Sequence, residues 1–495
     1  MNAFSHDTLG SALVCVNDSR VEGYPSESPF HPASAYPEYK GALGPHNPVY
    51  AAVRDTLRLM KLDPENEGTD RWNPLKTVVF PGDRVVLKPN FLSHRHKDRH
   101  GDWECVITHG SVIRAVLDYV MLALKGRGEV WIADGPQFDA DWSAIVSMSG
   151  LDRILEYGKS FYGNVPMHAL DLRPEWWPDV RHGVIGRREN LPGDPAGSQA
   201  IDVGRWSALG ELPEAKRFRG SDYDEAETNR YHRHGTHEYL LSRTCTCADV
   251  IINIPKLKTH KKVGATLCLK NIVGINTGRN RLPHYIDGFP GDHGDEFPNP
   301  TTRRTLERIG IRRFERGMLK YPGIVAPLFR VSKRVGKRLF GDTGQVIRTG
   351  NWHGNDTCWR MVHDINACIL YSDGEHFPVL HAKRYLGIVD GIIGGEGDGP
   401  EAPEPIKAGL ILAGLNPVAV DSVSAWMMGF DPLKLAMIRN AFDRRDLPLA
   451  GFAYDDISVV SNNPDLHGAL RQLDPARVLK FKPHFGWSGH IEREP

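Results

Sequence analysis

The sequence predicts an α/β protein, with a mostly parallel or mixed central sheet flanked by helices and a large irregular insertion. Three observations carry that expectation. Residues 84–133 read strand, helix, strand, the order of a parallel βαβ unit with a right-handed crossover. Ala248 to Ile254 (ADVIINI) reads as a buried strand. Tyr385 to Ile393 (YLGIVDGII) and Gly409 to Ala413 (GLILA) read as further strands, followed by a capped helix.

Taken in order, Ser11 to Asn17 (SALVCVN) is a short buried strand, and a loop rich in Pro, Ser and Tyr follows. Asn47-Pro48 opens a helix, because proline at the first helical position has its φ preset and lacks only an N–H that would go unused. Val49, Val53, Leu57 and Met60 share one face. Pro81-Gly82-Asp83 is a turn, and Arg84 to Leu87 is a strand ending at Lys88-Pro89-Asn90. Thr108 or Ser111 is the expected N-cap of the next helix. Val112, Val116, Tyr119, Val120 and Ala123 recur along it, and Gly126 and Gly128 stop it. Glu129 to Ala133 is the second strand of the unit. Lys88-Pro89-Asn90 and Asp134-Gly135-Pro136 then fall at carboxyl ends of strands, where open α/β sheets bind ligands.

Residues 151–245 show no clean period and read as an insertion or lid. Residues 281–300 are a polar Gly/Pro-rich loop. Residues 356–370 are helical, with Met361, Ile365, Cys368 and Ile369 inward, and Asn416-Pro417 caps a last helix through Met428. The expected organisation is one domain over 11–440, the insertion at 151–245 within it, a basic amphipathic segment at 303–340 and a C-terminal extension at 441–495.

Among 495 residues, 61 Lys+Arg balance 61 Asp+Glu, so the large basic excess of a dedicated nucleic-acid binder is missing. With 40% hydrophobic and 25% charged residues, the chain is no acidic disordered segment. It has no apolar run of transmembrane length and no basic, then apolar, leader pattern, so a cytoplasmic location is expected. The seven cysteines are scattered and form no CxxC pair, which speaks against a disulfide framework, a zinc ribbon or an iron–sulfur cluster. The neutral total is uneven: residues 303–338 carry twelve Lys/Arg against two Glu. A basic amphipathic helix from Val325 to Phe340 would suit an anionic membrane surface or an acidic partner. Otherwise it would fold onto the domain with a solvated basic face.

The densest chemical signal is Pro255-Lys256-Leu257-Lys258-Thr259-His260, followed by Leu269-Lys270-Asn271. Lysines clustered at a strand end suit a phosphate or carboxylate, and His260 is suited to acid/base work. The plainer reading is a solvated basic loop. Val389-Asp390-Gly391 and Gly394 to Pro400 (GGEGDGP) read as an acidic glycine-rich loop that is no P-loop, since GxxxxGK[ST] is missing. Asp390, Glu396 and Asp421 are candidate ligands for a hard divalent cation, or counter-charges for the lysines. Asp421 in the first turn of a helix is equally explained by the helix dipole. His232, His234 and His237 read as a chance cluster in a chain with 22 histidines.

Val86-Leu87-Lys88-Pro89-Asn90, Thr108-His109, Asn253 to His260, Leu269-Lys270-Asn271, Asp390-Gly391, Glu396 to Pro400 and Val418 to Asp421 occur in this order. Together they resemble the domain of unknown function 362 family over about residues 11–440. The resemblance implies an α/β fold and little chemistry. Some members carry an appended ferredoxin-like iron–sulfur domain, for which this chain has no matching cysteine run. The family is distantly similar to lactate-racemase-like proteins with a tethered nickel cofactor, onto whose metal and lysine positions no stretch here maps.

The expected function is an enzyme that binds an anionic small molecule and performs acid/base or group-transfer chemistry. Lys88, Asn90, His109, Asp134, Lys258 and Asn271 would bind it, and Lys256, His260 and Lys270 would act on it. A divalent metal at Asp390, Glu396 and Asp421 is part of that expectation. The alternatives are a non-catalytic anion- or metal-binding protein, a membrane-peripheral assembly factor using the basic segment, and a redox protein.

Overall fold

A computed structural model of the chain describes residues 7–99, 101–181, 184–213, 217–220, 224–302 and 346–493, with scattered positions between 303 and 345. Its scaffold is a large mixed sheet. Across it, in order, run Gly468–Ala469, Ser458–Ser461, Leu13–Asp18, Ala402–Gly414, Arg384–Asp398, Val250–Ile254, Arg84–Pro89, Glu129–Asp134 and Met167–Asp171. The last five are mutually parallel. Ala402–Gly414 is antiparallel to both of its neighbours.

The register explains where the chemistry collects. Val250 lies opposite Arg384 and Val85, Val85 opposite Val130, and Val130 opposite Met167. The parallel strands therefore present their carboxyl ends along one edge. Past Pro255 the chain resumes as Lys256–His260, which pairs with the far half of the Arg384 strand, Lys256 opposite Asp390 and Lys258 opposite Gly395. The expected βαβ unit is present, its helix spanning Gly110–Leu124 and ending where Lys125 turns left-handed.

Because the central strands are covered on both faces, they read as continuous apolar runs. Val85 and Leu87 pack with Val49, Val53, Val112 and Val116 from the helices Pro48–Leu59 and Gly110–Leu124. Val86 points to the other side, towards Met361 and Ile365 of Cys358–Leu370. A third apolar layer joins Leu257, Val420 and Trp426 to Phe481 and Trp487.

Four expectations need correction. The N-cap of Gly110–Leu124 is His109, whose ring nitrogen accepts the Ser111 N–H. Thr108 instead bridges strands, its hydroxyl donating to the Ile254 carbonyl and accepting from the Asn90 N–H. Residues 151–171 belong to the main sheet as the helix Leu151–Tyr162 and the edge strand Met167–Asp171, so the departure expected from 151 begins after Asp171. Only Met167 and Leu170 of that edge strand are buried, which weakens its apolar signal. Residues 394–398 are strand rather than loop; their glycines allow close contact, since a Cβ at Gly394 would lie 2.8 Å from Phe481 and 3.0 Å from the Leu257 carbonyl. Finally, 441–495 is no mere extension, because it supplies the strands Ser458–Ser461 and Gly468–Ala469.

Beyond Asp171 come the hairpin of Glu175–Arg181 and Val184–Asn190 and the small sheet of Ser198–Asp202 with Thr236–Ser242. The predicted basic helix 325–340 lies, except for Val331, outside the described residues. Among the described residues, no helix is long and apolar enough to cross a membrane.

Candidate functional site

Strand ends place Lys88, Asn90 and Asp134 along the carboxyl edge, Lys256, Lys258 and His260 continue it, and the short helix Leu267–Asn271 adds Lys270 and Asn271. Two of these lysines are neutralised by carboxylates. Lys88 Nζ lies 2.7 Å from Asp134 Oδ1 and donates to the Pro89 carbonyl at 2.8 Å. Asp134 also accepts the Phe91 and Gly135 N–H groups. Gly274 closes over this pair, and a Cβ there would stand 2.2 Å from Asp134 Oδ1.

Lys256 Nζ lies 2.7 Å from Asp390 Oδ2, with both side chains fully buried. Asp390 also accepts from the Tyr24 hydroxyl at 2.5 Å and from the His109 N–H at 2.9 Å. Tyr24 in turn accepts a bond from Lys256 at 2.7 Å. The His109 ring stacks with Tyr24, centroids 4.0 Å apart, and with Trp103, 5.4 Å apart. Burial first, and then the Lys256 charge, hold His109 well below the ordinary imidazole range, so it is neutral. His109 is thus a cap and a packing residue as well as a neighbour of the site.

Asn90, Asn253 and Asn271 form a buried chain. Asn90 Nδ2 donates to Asn271 Oδ1 at 2.9 Å, and Asn271 Nδ2 donates to Asn253 Oδ1 at 2.7 Å and to the Lys88 carbonyl at 3.1 Å. Asn90 Oδ1 is buried and has no partner among the described residues. Such an acceptor is costly unless something donates to it.

Lys258 differs from its two neighbours. It is fully buried, yet its ammonium faces the Val106 carbonyl, and at 3.5 Å the Pro400 carbonyl, rather than a carboxylate. Desolvation pulls it down to about 7. Its neutral form has two N–H bonds to donate and one lone pair left to take up a proton.

At the far end of the edge basic side chains cluster. His260 Nδ1 accepts the Lys262 N–H at 3.0 Å, and His284 Nδ1 lies 2.8 Å from the Leu282 carbonyl. Lys262 reaches across Tyr285, Nζ 4.8 Å from the ring centroid, to the Thr349 carbonyl. Burial pushes both histidines well below their ordinary value, and the Lys270 charge pushes them further. Burial also brings Lys262 down to about 8. Lys270 is lowered by burial and by the Arg279 and Lys88 charges, with only the Cys358 thiol opposing. It has no hydrogen bond or ion pair among the described residues.

The three acids grouped from the sequence are held apart. Asp390 belongs to Lys256, while Glu396 accepts the Lys482 N–H at 2.9 Å. Asp421 accepts the Cys268 and Leu269 N–H groups at 2.7 and 2.9 Å. Among the described residues, no group of three or more His, Cys, Asp or Glu is placed to hold a metal ion. Two other residues escaped the sequence reading. Tyr24 sits in a loop with no motif, and His284 lies in the polar 281–300 stretch.

The family model described as a domain of unknown function, DUF362, matches residues 85–186 and 195–426. The chain is 26% identical over 201 residues to the thylakoid-associated protein sll1697 of Synechocystis sp. (strain ATCC 27184 / PCC 6803 / Kazusa), a match covering 41% of this chain and 41% of that protein. The chain thus spans about two fifths of that relative's length. No solved structure matches it.

Proposed function

The chain belongs to the DUF362 family of domains of unknown function, and on that footing we propose that it is an enzyme acting on an anionic small molecule at the carboxyl edge of its sheet. Lys262 and Lys270 hold the negative charge, and Lys258 exchanges the proton. The observation that carries this reading is the contrast among the lysines. Lys88 and Lys256 each have a buried carboxylate, whereas Lys258 faces only backbone carbonyls and Lys270 has no ion pair among the described residues. A buried amine tuned to about 7 is poised for acid/base work at neutral pH. His260, the proton carrier expected from the sequence, is held neutral and serves better as a hydrogen-bond donor.

The test is to incubate the purified chain with a mixture of phosphorylated and carboxylated metabolites and follow each by mass spectrometry. Wild type is expected to deplete at least one anion, and Lys258→Met to deplete none while remaining folded by circular dichroism. Depletion by the variant at the wild-type rate removes Lys258 from the chemistry, and no depletion by wild type removes the enzyme reading.

A second reading has its own support. Residues 303–338 carry a net charge of +10, and a relative is named for its association with thylakoids. Peripheral attachment to an anionic membrane follows if that segment is presented to lipid. Flotation with phosphatidylglycerol vesicles tests it, and equal flotation after deletion of residues 303–340 would refute it.

A further inference from the structure

The two histidines of the cationic cluster are fixed in opposite tautomers. His260 Nδ1 accepts a backbone N–H, so the proton of the neutral ring sits on Nε2, which is a donor. His284 Nδ1 faces a carbonyl, which can only accept, so its proton sits on Nδ1 and Nε2 keeps a lone pair. Both side chains are at least nine-tenths buried, and neither Nε2 has a partner among the described residues. Lys262, whose backbone N–H bonds to His260, extends its ammonium over the ring of Tyr285, the residue after His284. His260 therefore offers a donor and His284 an acceptor, and the Lys262 and Lys270 charges act on both rings.

A plain carboxylate or a sulfate satisfies the lysines and His260 but has no hydrogen to give His284. A phosphate at neutral pH retains an O–H, or loses little by regaining one beside a neutral imidazole. From this donor and acceptor pattern we infer that the cluster of His260, Lys262, Lys270 and His284 is a phosphate subsite, selecting the protonated oxyanion of a phosphate or phosphate monoester. The inference deepens the anion-binding reading above and rests on it. Phosphate oxygens accept from Lys262, Lys270 and His260 Nε2, and the P–O–H donates to His284 Nε2. Sulfate, once seated over that nitrogen, has no hydrogen to donate to it, a loss of about tenfold in affinity or more.

Isothermal titration of the full chain with inorganic phosphate, sulfate and succinate tests this. Phosphate is expected to bind about tenfold or more tighter than sulfate. His284→Phe should bring the two close together, and Lys270→Met should weaken both. If His284→Phe does not fold, His284→Gln, whose amide oxygen still accepts, should keep part of the preference. Equal binding of phosphate and sulfate by wild type, or an unchanged preference in folded His284→Phe, overturns the phosphate subsite. If only succinate binds, the anion reading stands and the phosphate subsite falls. If none of the three binds, both fall.

Discussion

Lys256 and Asp390 meet at 2.7 Å with neither side chain exposed, although 134 residues separate them in the chain. Asp390 also holds the Tyr24 hydroxyl and the His109 N–H, so the pair ties four segments together. Removing one partner of a buried ion pair strands the other charge in a low dielectric. Lys256→Met is expected to destabilise the fold by about 3–5 kcal/mol, and Lys256→Met with Asp390→Asn to recover part of it. Urea denaturation of the three proteins checks this. A melting point unchanged in Lys256→Met would show that the pair is not integral to folding.

Lys258 makes stability depend on pH in a defined sense. Its folded value of about 7 lies below the ordinary 10.5, so between those values the unfolded chain binds the extra proton. Wild-type stability relative to Lys258→Met should therefore rise with pH across that window, by about 1.4 kcal/mol per unit, and stay flat below it. Paired denaturation curves from pH 6 to 10 read the slope, and parallel profiles would contradict it.

Asp421 runs the other way. Burial raises it from 3.8 to about 8 despite two backbone N–H bonds. In that window the folded state binds the extra proton, so its stability contribution is complete below 3.8 and lost as pH rises through about 8. Compared with Asp421→Asn, wild type should lose ground from pH 4 to 8. A difference that does not vary with pH would mean that Asp421 is ionised throughout.

Gly274 is the closest approach of the loop after Leu267–Asn271 to the Lys88–Asp134 pair. Gly274→Ala would set its methyl 2.2 Å from Asp134 Oδ1 and 2.9 Å from Lys88 Nζ. Something must shift, and an overpacking cost of about 1–3 kcal/mol is expected. Thermal melts of the variant check this, and a wild-type melting point would mean that the loop gives way freely.

The βαβ unit and the strand into Lys256 were legible because long apolar periods bounded by Gly and Pro leave little choice of structure. The Met167–Asp171 edge was not, because half of it is wetted. Gly394 and Gly395 looked like a loop because glycine for a turn and glycine for close packing are the same letter. At the site, the sequence drew the lysines together but could not say which were already neutralised. Asp134 and Asp390 reach Lys88 and Lys256 only through the fold, and the same distance hid the fact that Lys258 and Lys270 have no such acid among the described residues.

The Leu13–Asp18 strand lies in the interior of the sheet, between Ala402–Gly414 and Ser458–Ser461, and its Val14, Cys15 and Val16 are fully buried. During synthesis neither neighbour exists until nearly four hundred more residues have been added after it. At roughly 5–20 residues per second that is about 20–80 s. For that time a sticky, unpaired strand is displayed to the cell, as is the loop bearing Tyr24 that will later roof Lys256. Completion of this edge is therefore a late event in synthesis.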